Sequence, residues 1–293
     1  MGMYQRGETY IHQRKFIEDS TATNVDSANM LITYPCDSGT TTSAMSNIAT
    51  GTYEGSWNIP SAATYGEYRV VVTTVAGTET TKFEESFYIL PWNIAQQVRS
   101  VSGIKQSNDI DDDDIAIICW NAYLEAKEHV FKRVINEKLK TDAYHVIDGS
   151  NKVFYTRRSN VVDDHTVCDE DAIYGYYVDS NYDLQDLTVS ITDADVGKIS
   201  VADSSGNAFS ASDTCHVTIY YRIKSRSFSE QMFKKAVVYL ASHEIILRFN
   251  ELDKATLADL NSNRPIVLAN PDRMYKKYKQ TLKAIKKIKV GGV

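Results

Sequence analysis

The sequence predicts an α+β fold of several domains, in which an N-terminal β-sandwich is followed by a helical bundle that a β-rich insertion interrupts. Up to Leu90-Pro91-Trp92, short stretches of alternating polar and apolar residues are separated by Gly, Pro, Ser and Thr turns, a pattern typical of strands. Beyond this point apolar residues recur at three- and four-residue spacing, which predicts helices. We therefore expect a sandwich over 1–90, a discontinuous helical core over 91–143 and 223–293, and a β-rich insertion over 144–222.

Length and charge narrow the possible functions. A chain of 293 residues and 33.0 kDa is long enough for two or three domains. Its net charge of -6 argues against a general nucleic-acid binder. No segment approaches the roughly 20 consecutive apolar residues of a membrane helix, so we expect that the chain does not span a membrane and that no membrane is among its favoured partners. The four cysteines lack the spacing of a zinc site, which favours free thiols, with a Cys168–Cys215 disulfide as the alternative.

The N-terminal strands are most evident between Tyr68 and Val75, where side chains alternate between two faces. Turns such as Asp37-Ser38-Gly39 and Ala76-Gly77-Thr78 punctuate the segment at close intervals. Repeated short strands with such turns indicate a sandwich. Its expected large core residues are Tyr53, Trp57, Tyr68, Phe83 and Phe87.

The first long helix is expected to open at the acidic run Asp109–Asp114, because carboxylates cap the free N–H groups of a helix start. Glu128 and Lys132 would form a weak pair one helical turn apart. The apolar stripe that would hold this helix comprises Ile115, Ile118, Ala122, Ala126, Val130 and Val134.

Strand patterns return between about Tyr144 and Tyr221, and helices follow. A capping box, Ser227-x-x-Glu230, predicts the start of the next helix. Asn270-Pro271-Asp272 predicts the start of a last helix that reaches about Lys289. The expected apolar stripe of the earlier helix comprises Met232, Ala236, Leu240, His243 and Leu247.

No motif for catalysis, cofactor binding or metal binding is complete in this sequence. The acidic run matches the first ligands of a calcium loop, but Asp114 replaces its glycine and Trp120 its bidentate glutamate. His243-Glu244 opens like a zinc-protease helix, but Leu247 replaces the second histidine. We therefore expect no catalytic residue, no cofactor, no metal and no enzyme activity.

The last helix is the candidate for partner binding, because no acid follows Asp272 in a segment rich in lysine. Three interpretations remain open: a solvated basic face, a membrane or nucleic-acid contact, and a helix that docks its apolar stripe on an acidic protein. We favour the third. The expected docking residues are Arg273, Tyr275, Lys276, Lys277, Tyr278, Lys279, Leu282, Lys283, Lys286 and Lys287.

Several short motifs follow one another through the chain. In the N-terminal part these are Arg6-Gly7-Glu8, Met45, the segments 51–60 and 66–72, and Phe87. Their order and spacing resemble the immunoglobulin-like, macroglobulin-type β-sandwich of cell-surface and virion proteins. Further on, the segments 97–104, 109–112 and 236–247 resemble the head-tail connector proteins of tailed viruses.

This resemblance implies a structural virion protein at the capsid-tail neck, assembled in the host cytoplasm. Such a protein would form a homo-oligomeric ring of about twelve subunits that docks on the portal and binds a downstream head-completion or tail protein. Viral DNA would pass through the ring without sequence-specific binding, since an acidic lumen repels it. The alternative is a surface adhesion or carbohydrate-binding protein, with the immunoglobulin-like domain on a helical stalk.

Overall fold

The computed structural model describes residues 2–18, 21–104, 110–139, 150–162, 173–178, 181–208, 216–225, 228–256 and 269–286. Strands account for 43% of this structure and helices for 29%, so the protein is mainly β. The predicted fold class is therefore wrong. The chain is not a sandwich followed by a helical connector bundle with a β insertion, because its second half is built around a large sheet of its own.

Two compact units make up the chain. One comprises Met1–Leu124 and Lys234–Lys279, and the other comprises Glu125–Phe233 and Gln280–Val293. The helices are α1 (Ala95–Ser102), α2 (Asp112–Val130), α3 (Glu230–Thr256) and α4 (Pro271–Lys286). The first ten strands are β1 (Met3–Tyr4), β2 (Thr9–Lys15), β3 (Ile17–Glu18), β4 (Thr21–Ala22), β5 (Ser27–Thr33), β6 (Thr40–Ala44), β7 (Ser46–Ala49), β8 (Thr52–Asn58), β9 (Gly66–Ala76) and β10 (Glu79–Ile89). The later strands are β11 (Lys132–Lys138), β12 (Val153–Tyr155), β13 (Tyr174–Val178), β14 (Leu184–Asp193), β15 (Lys198–Asp203) and β16 (His216–Ile223).

The N-terminal strands form a sandwich. A five-stranded sheet of order β1-β10-β9-β5-β6 shares a core with a three-stranded sheet of order β2-β8-β7, and β3 and β4 form a separate ribbon. Of the expected core residues, Tyr53, Tyr68 and Phe87 are buried, while Trp57 and Phe83 are partly buried against the same core. The core takes side chains from both sheets because alternate residues of each strand point inward.

A buried polar cluster joins the two sheets of the sandwich. His12 of β2 is buried, and its Nδ1 donates to the Glu85 carboxylate of β10 at 2.6 Å. The Tyr10 hydroxyl donates to the same oxygen at 2.7 Å. The hydrogen bond from His12, with that from Tyr10, lowers the pKa of Glu85 to about 2, although burial acts in the opposite direction. The carboxylate therefore stays ionised inside the sandwich at neutral pH.

The second unit contains a six-stranded sheet of order β11-β16-β13-β14-β15-β12. One face carries a core that includes Phe154, Ile199, Val201, Ile219 and Tyr221. In this core each inward residue has an outward neighbour on either side along its strand.

This sheet begins earlier than the sequence predicts, because α2 ends at Val130 and Lys132 already starts β11. Val134, expected on the helix stripe, packs against the core of the six-stranded sheet instead. Glu128 does not use Lys132 as its partner: it accepts hydrogen bonds from Arg222 at 2.7 Å and from Arg133 at 3.3 Å. Pairing with β16 satisfies the backbone of this segment, and that long-range gain outweighs the local helical pattern.

The α3 helix is buried more widely than its predicted stripe. Phe233, Val237 and Ile245 are buried beside the expected Ala236 and Leu240, whereas Leu247 is exposed. The Ser229 hydroxyl accepts a hydrogen bond from the Met232 amide at 3.4 Å and caps the helix start. Ser227, expected to do so, lies outside the described residues. No helix in the described ranges is long and apolar enough to cross a membrane.

The cysteines differ in state. Cys119 is a buried free thiol on α2, and burial raises its pKa to about 12. Cys36 is disulfide-bonded, so the expectation of free thiols is wrong for this residue. Cys168 and Cys215 lie outside the described residues.

We expect Glu85→Gln to destabilise the sandwich by about 2 kcal/mol at neutral pH, since the folded carboxyl has a pKa of about 2 against an unfolded value near 4.5. A lowered folded pKa stabilises above the unfolded value, and this contribution disappears as the pH falls from about 4.5 towards 2. Hydrogen exchange of the β2 and β10 amides in the variant and the parent, at a series of pH values, measures this loss of stability. Glu84→Gln, on the exposed face of the same strand, is the control. A deficit that persists unchanged at pH 2 would contradict the linkage.

We expect Gly175→Ala to loosen the six-stranded sheet by about 1–3 kcal/mol. A Cβ at Gly175 would lie 2.8 Å from the Thr218 carbonyl oxygen of the neighbouring strand, so the backbone has to shift. Faster amide exchange confined to β13 and β16 would report this. Gly206→Ala is the control, because open space surrounds the added methyl group. It measures the conformational cost of replacing a glycine without a steric contact. Equal protection of β13 in Gly175→Ala and the parent would show that the close approach is wrong.

Candidate functional site

The candidate site is α4, whose start is fixed by its sequence. The Asn270 side-chain oxygen accepts a hydrogen bond from the Arg273 amide at 3.0 Å, and Pro271 occupies the first helical position. Asp272 lies in the first turn, where a negative charge complements the helix dipole. The predicted start of this helix is therefore observed.

The apolar stripe of α4 is already covered by the chain itself. Met274, Tyr278, Leu282 and Ile285 are all buried, and Tyr278 has no exposed surface. Of the two expected docking residues on this stripe, Tyr278 and Leu282, neither is accessible to a partner. The stripe therefore anchors the helix, and binding through α4 would use its other face.

That other face is basic. Arg273, Lys276, Lys279 and Lys283 are exposed, and their spacing of three or four residues aligns them along one side of the helix. We call these four residues the basic face. Lys286 ends the described part of α4, and Lys287 lies outside it. In the described part of α4, Asp272 in the first turn is the one acidic residue, so the rest of the basic face has no counter-charge on its own helix.

Aromatic rings beside the basic face hold part of its charge in place. The Lys279 ammonium lies 4.9 Å from the ring centre of Tyr275, which is itself partly exposed. The half-buried Lys277 points elsewhere, with its ammonium 5.2 Å from the ring of Tyr239 on α3. Each such cation–π contact contributes about 0.5–1 kcal/mol at an exposed position. Tyr275 and Lys279 together offer a partner an aromatic ring and a charge.

His243 has a structural role next to this face. Its Nδ1 donates to the Pro271 carbonyl oxygen at 3.0 Å, and its ring lies 5.0 Å from that of Tyr275. It thus ties α3 to the first turn of α4. A ring nitrogen committed to a carbonyl oxygen gives His243 a structural role at a helix contact.

The acidic start of α2 is likewise engaged within the chain. Asp112 accepts a hydrogen bond from the buried Arg99 at 2.6 Å, and Asp114 pairs with Arg248 at 2.8 Å. Among the described residues there is no group of three or more His, Cys, Asp or Glu side chains that could hold a metal. Asp109 lies outside the described residues. Asp112 and Asp114 therefore act as ion-pair partners in the first turn of α2, where their charge also complements the helix dipole.

Sequence reasoning missed the cluster of Tyr10, His12 and Glu85. Its signal was available, because Tyr10 and His12 alternate inward on one strand and a buried histidine needs a polar partner. The identity of that partner could not be read locally, since Glu85 is distant in sequence and lies on the opposite sheet. The cluster joins the two sheets of the sandwich, with His12 buried and Glu85 partly exposed.

Comparisons with known proteins do not identify a family. No family model matches the chain, and no curated protein matches it. Among solved structures, the chain is similar to a Bacteroides vulgatus protein described as a putative glycoside hydrolase, with 16% identity over 32% of this chain and 17% of that one, at a TM-score of 0.25. A DUF4785 family protein of Legionella pneumophila matches with 8% identity over 76% of this chain and 45% of that one, at a TM-score of 0.24.

A third structure is trypsin-activated alpha-2-macroglobulin of Escherichia coli, with 12% identity over 78% of this chain and 14% of that one, at a TM-score of 0.25. The chain thus spans less than half the length of each of these three proteins. Likeness at this level carries no argument about fold family or activity.

We expect a triple change of Lys276, Lys279 and Lys283 to Glu to leave the fold within about 1 kcal/mol of the parent, because all three side chains are solvated. Tyr278→Ala should instead cost about 3–5 kcal/mol, because it empties a fully buried site. Chemical unfolding of the two variants beside the parent measures both effects. A triple variant as unstable as Tyr278→Ala would show that the basic face is part of the core packing.

Proposed function

We propose that this protein is a non-enzymatic structural component of a virion, a head-tail adaptor that forms a ring of about twelve copies and docks on the portal. In this proposal it connects the capsid to a downstream head-completion or tail protein at the neck, around the channel through which DNA passes. The observation that carries it is the exposed basic face of α4 on a helix whose apolar stripe is buried.

The sequence resemblance supports the proposal through the helices. Segments 97–104 and 236–247 of the resemblance fall on α1 with its Gly103 cap and on α3. The contacts expected of an adaptor need accessible surfaces on firmly packed elements, which α4 provides. The proposal does not require a helical bundle.

Charge supports the same partner class. Segment 270–293 holds eight Lys or Arg and one Asp, in a chain with a net charge of -6. A concentrated positive patch on an acidic protein favours one acidic partner surface over general binding to polyanions. The overall negative charge also favours passage of DNA without adhesion.

The proposal is tested by mixing the parent chain with the portal protein of the same virus. Native mass spectrometry and negative-stain imaging should reveal a ring bound to the portal. The triple variant Lys276→Glu, Lys279→Glu, Lys283→Glu should bind the portal at least tenfold more weakly than the parent. Raising the salt concentration should weaken the binding of the parent to the portal.

A charge-matched control distinguishes this contact from general electrostatics. Lys15, Lys82 and Lys132 are also exposed, and changing all three to Glu alters the net charge by the same amount. That variant should bind the portal like the parent. A chain that stays monomeric and does not bind the portal would overturn the proposed function. Equal losses of portal affinity in the two triple variants would show that the basic face is not the portal-binding surface. Reversal of charge is a better test than deletion of 272–293, since deletion also strips away the buried stripe.

A further inference from the structure

The outer face of the six-stranded sheet, opposite its core, carries a cluster of tyrosines. Tyr174 of β13 lies directly across from Tyr220 of β16, with ring centres 4.4 Å apart and planes only 6° apart. Tyr176, two residues along β13, lies 6.0 Å from the Tyr220 ring. Tyr174 is 37% exposed. Stacked rings strengthen strand pairing, but pairing alone does not require aromatic surface in solvent.

The hydroxyls of this cluster are ordered. Those of Tyr176 and Tyr220 lie 3.5 Å apart, and Tyr220 donates to the side-chain oxygen of Asn136. The contact with Tyr176 helps to raise the pKa of Tyr220 to about 12. The Tyr220 phenol therefore remains protonated at neutral pH and can donate and accept hydrogen bonds.

Beyond Tyr174 the same face becomes a shallow trough. Its floor consists of small residues: Thr188 and Ser190 of β14, and their cross-strand partners Ala202 and Ser200 of β15. Thr188 and Ser190 are exposed. The floor thus presents hydroxyl groups and little bulk.

The far edge of the trough is again aromatic and apolar. Val153 and Tyr155 of β12 pair with Ser200 and Lys198, which places them on the outer face, where Tyr155 is 42% exposed. The strand order sets β13 and β12 three strand spacings apart, or about 14 Å. Tyr174 is level with Thr188 and its partner Ala202, whereas Tyr155 pairs with Lys198, four residues along β15. The two tyrosines are therefore also offset by about 13 Å along the strands, and they lie at the ends of a diagonal path across the hydroxyl-lined floor that admits one extended chain.

The other end of this face is closed, which limits the open surface to the trough and the tyrosines. Arg222, two residues from Tyr220 on β16, is buried and donates to Glu128 at 2.7 Å. Its charge is taken up inside the unit and is not offered to a ligand.

We infer that this trough binds a neutral carbohydrate chain, with sugar rings packed on Tyr174 and Tyr155 and sugar hydroxyls bonded to the floor. Aromatic surface beside a few polar groups is the usual composition of a small-molecule site. Segment 144–222 holds thirteen Asp or Glu against five Lys or Arg, so phosphate-bearing polymers are repelled. A peptide would find no unpaired backbone on a sheet face, since strand addition takes place at edges. This inference is independent of ring assembly.

The test is native affinity electrophoresis of the full chain in gels cast with hydroxyethylcellulose, soluble starch, laminarin, galactomannan or glycol chitin. At least one of these should retard the protein. Tyr174→Ala should weaken the affinity for that polysaccharide at least tenfold. The affinity of Tyr174→Phe should stay within about threefold of the parent's, because this variant keeps the aromatic ring. Tyr182→Ala is the matched control, since Tyr182 is 83% exposed and lies outside the trough.

Thr188→Arg provides a second variant that does not remove a stacked ring. The exposed Thr188 site accepts a long side chain that covers the floor, so binding should be lost while thermal unfolding is unchanged. No retardation in any of the five gels would overturn the inference. So would retardation that Tyr174→Ala and Thr188→Arg leave intact, or binding of single-stranded oligothymidylate that depends on Tyr174, which would make the face a nucleic-acid platform.

Discussion

The ion pair between Arg222 and Glu128 determines how the second unit is built. The guanidinium side chain is only 3% exposed and its hydrogen bond to Glu128 is 2.7 Å long. Burial alone would raise the pKa of Glu128, but the hydrogen bond and charge of Arg222, with help from Arg133, lower it. Glu128 is 48% exposed, so solvent screens the pair, and its loss costs less than the roughly 3–5 kcal/mol of a fully buried pair. The end of α2 and the strand β16 are therefore fixed to each other.

This constraint explains both the fold and the surface of the sheet. With Arg222 committed to Glu128, the chain leaves α2 at Val130 and enters β11, which pairs with β16. The same commitment closes one end of the outer face and leaves the end with Tyr174 and Tyr220 in solvent. The sheet pairing, the ion pair of the buried Arg222 and the exposed tyrosines thus all belong to one arrangement along β16.

Local sequence patterns identified the elements that fold by local rules. The alternation through Tyr68–Val75 and the Asn270 cap are both observed, because strand alternation and helix capping depend on neighbouring residues. The start of β11 could not be predicted, since its partner β16 is distant in sequence and the stripe from Ile115 to Val130 continues by chance to Val134. The wider burial of α3 was missed for a related reason, as a helix packed on several sides loses its periodicity. For the candidate site, sequence identified the basic residues of α4, but only packing could show that Tyr278 and Leu282 face inward.

The two surfaces proposed for binding differ in chemistry, and this difference argues that they serve different ligands. The basic face offers positively charged groups exposed to solvent, which attract an acidic partner over a distance that salt limits. The trough offers aromatic rings and neutral hydroxyls within an acidic segment, where contact depends on shape and short hydrogen bonds. An acidic protein surface that suits Lys276 and Lys283 is repelled by the surroundings of Asp186, and a neutral sugar gains nothing from ammonium groups. One chain can therefore hold an assembly contact and a carbohydrate contact without either ligand competing for the other's surface.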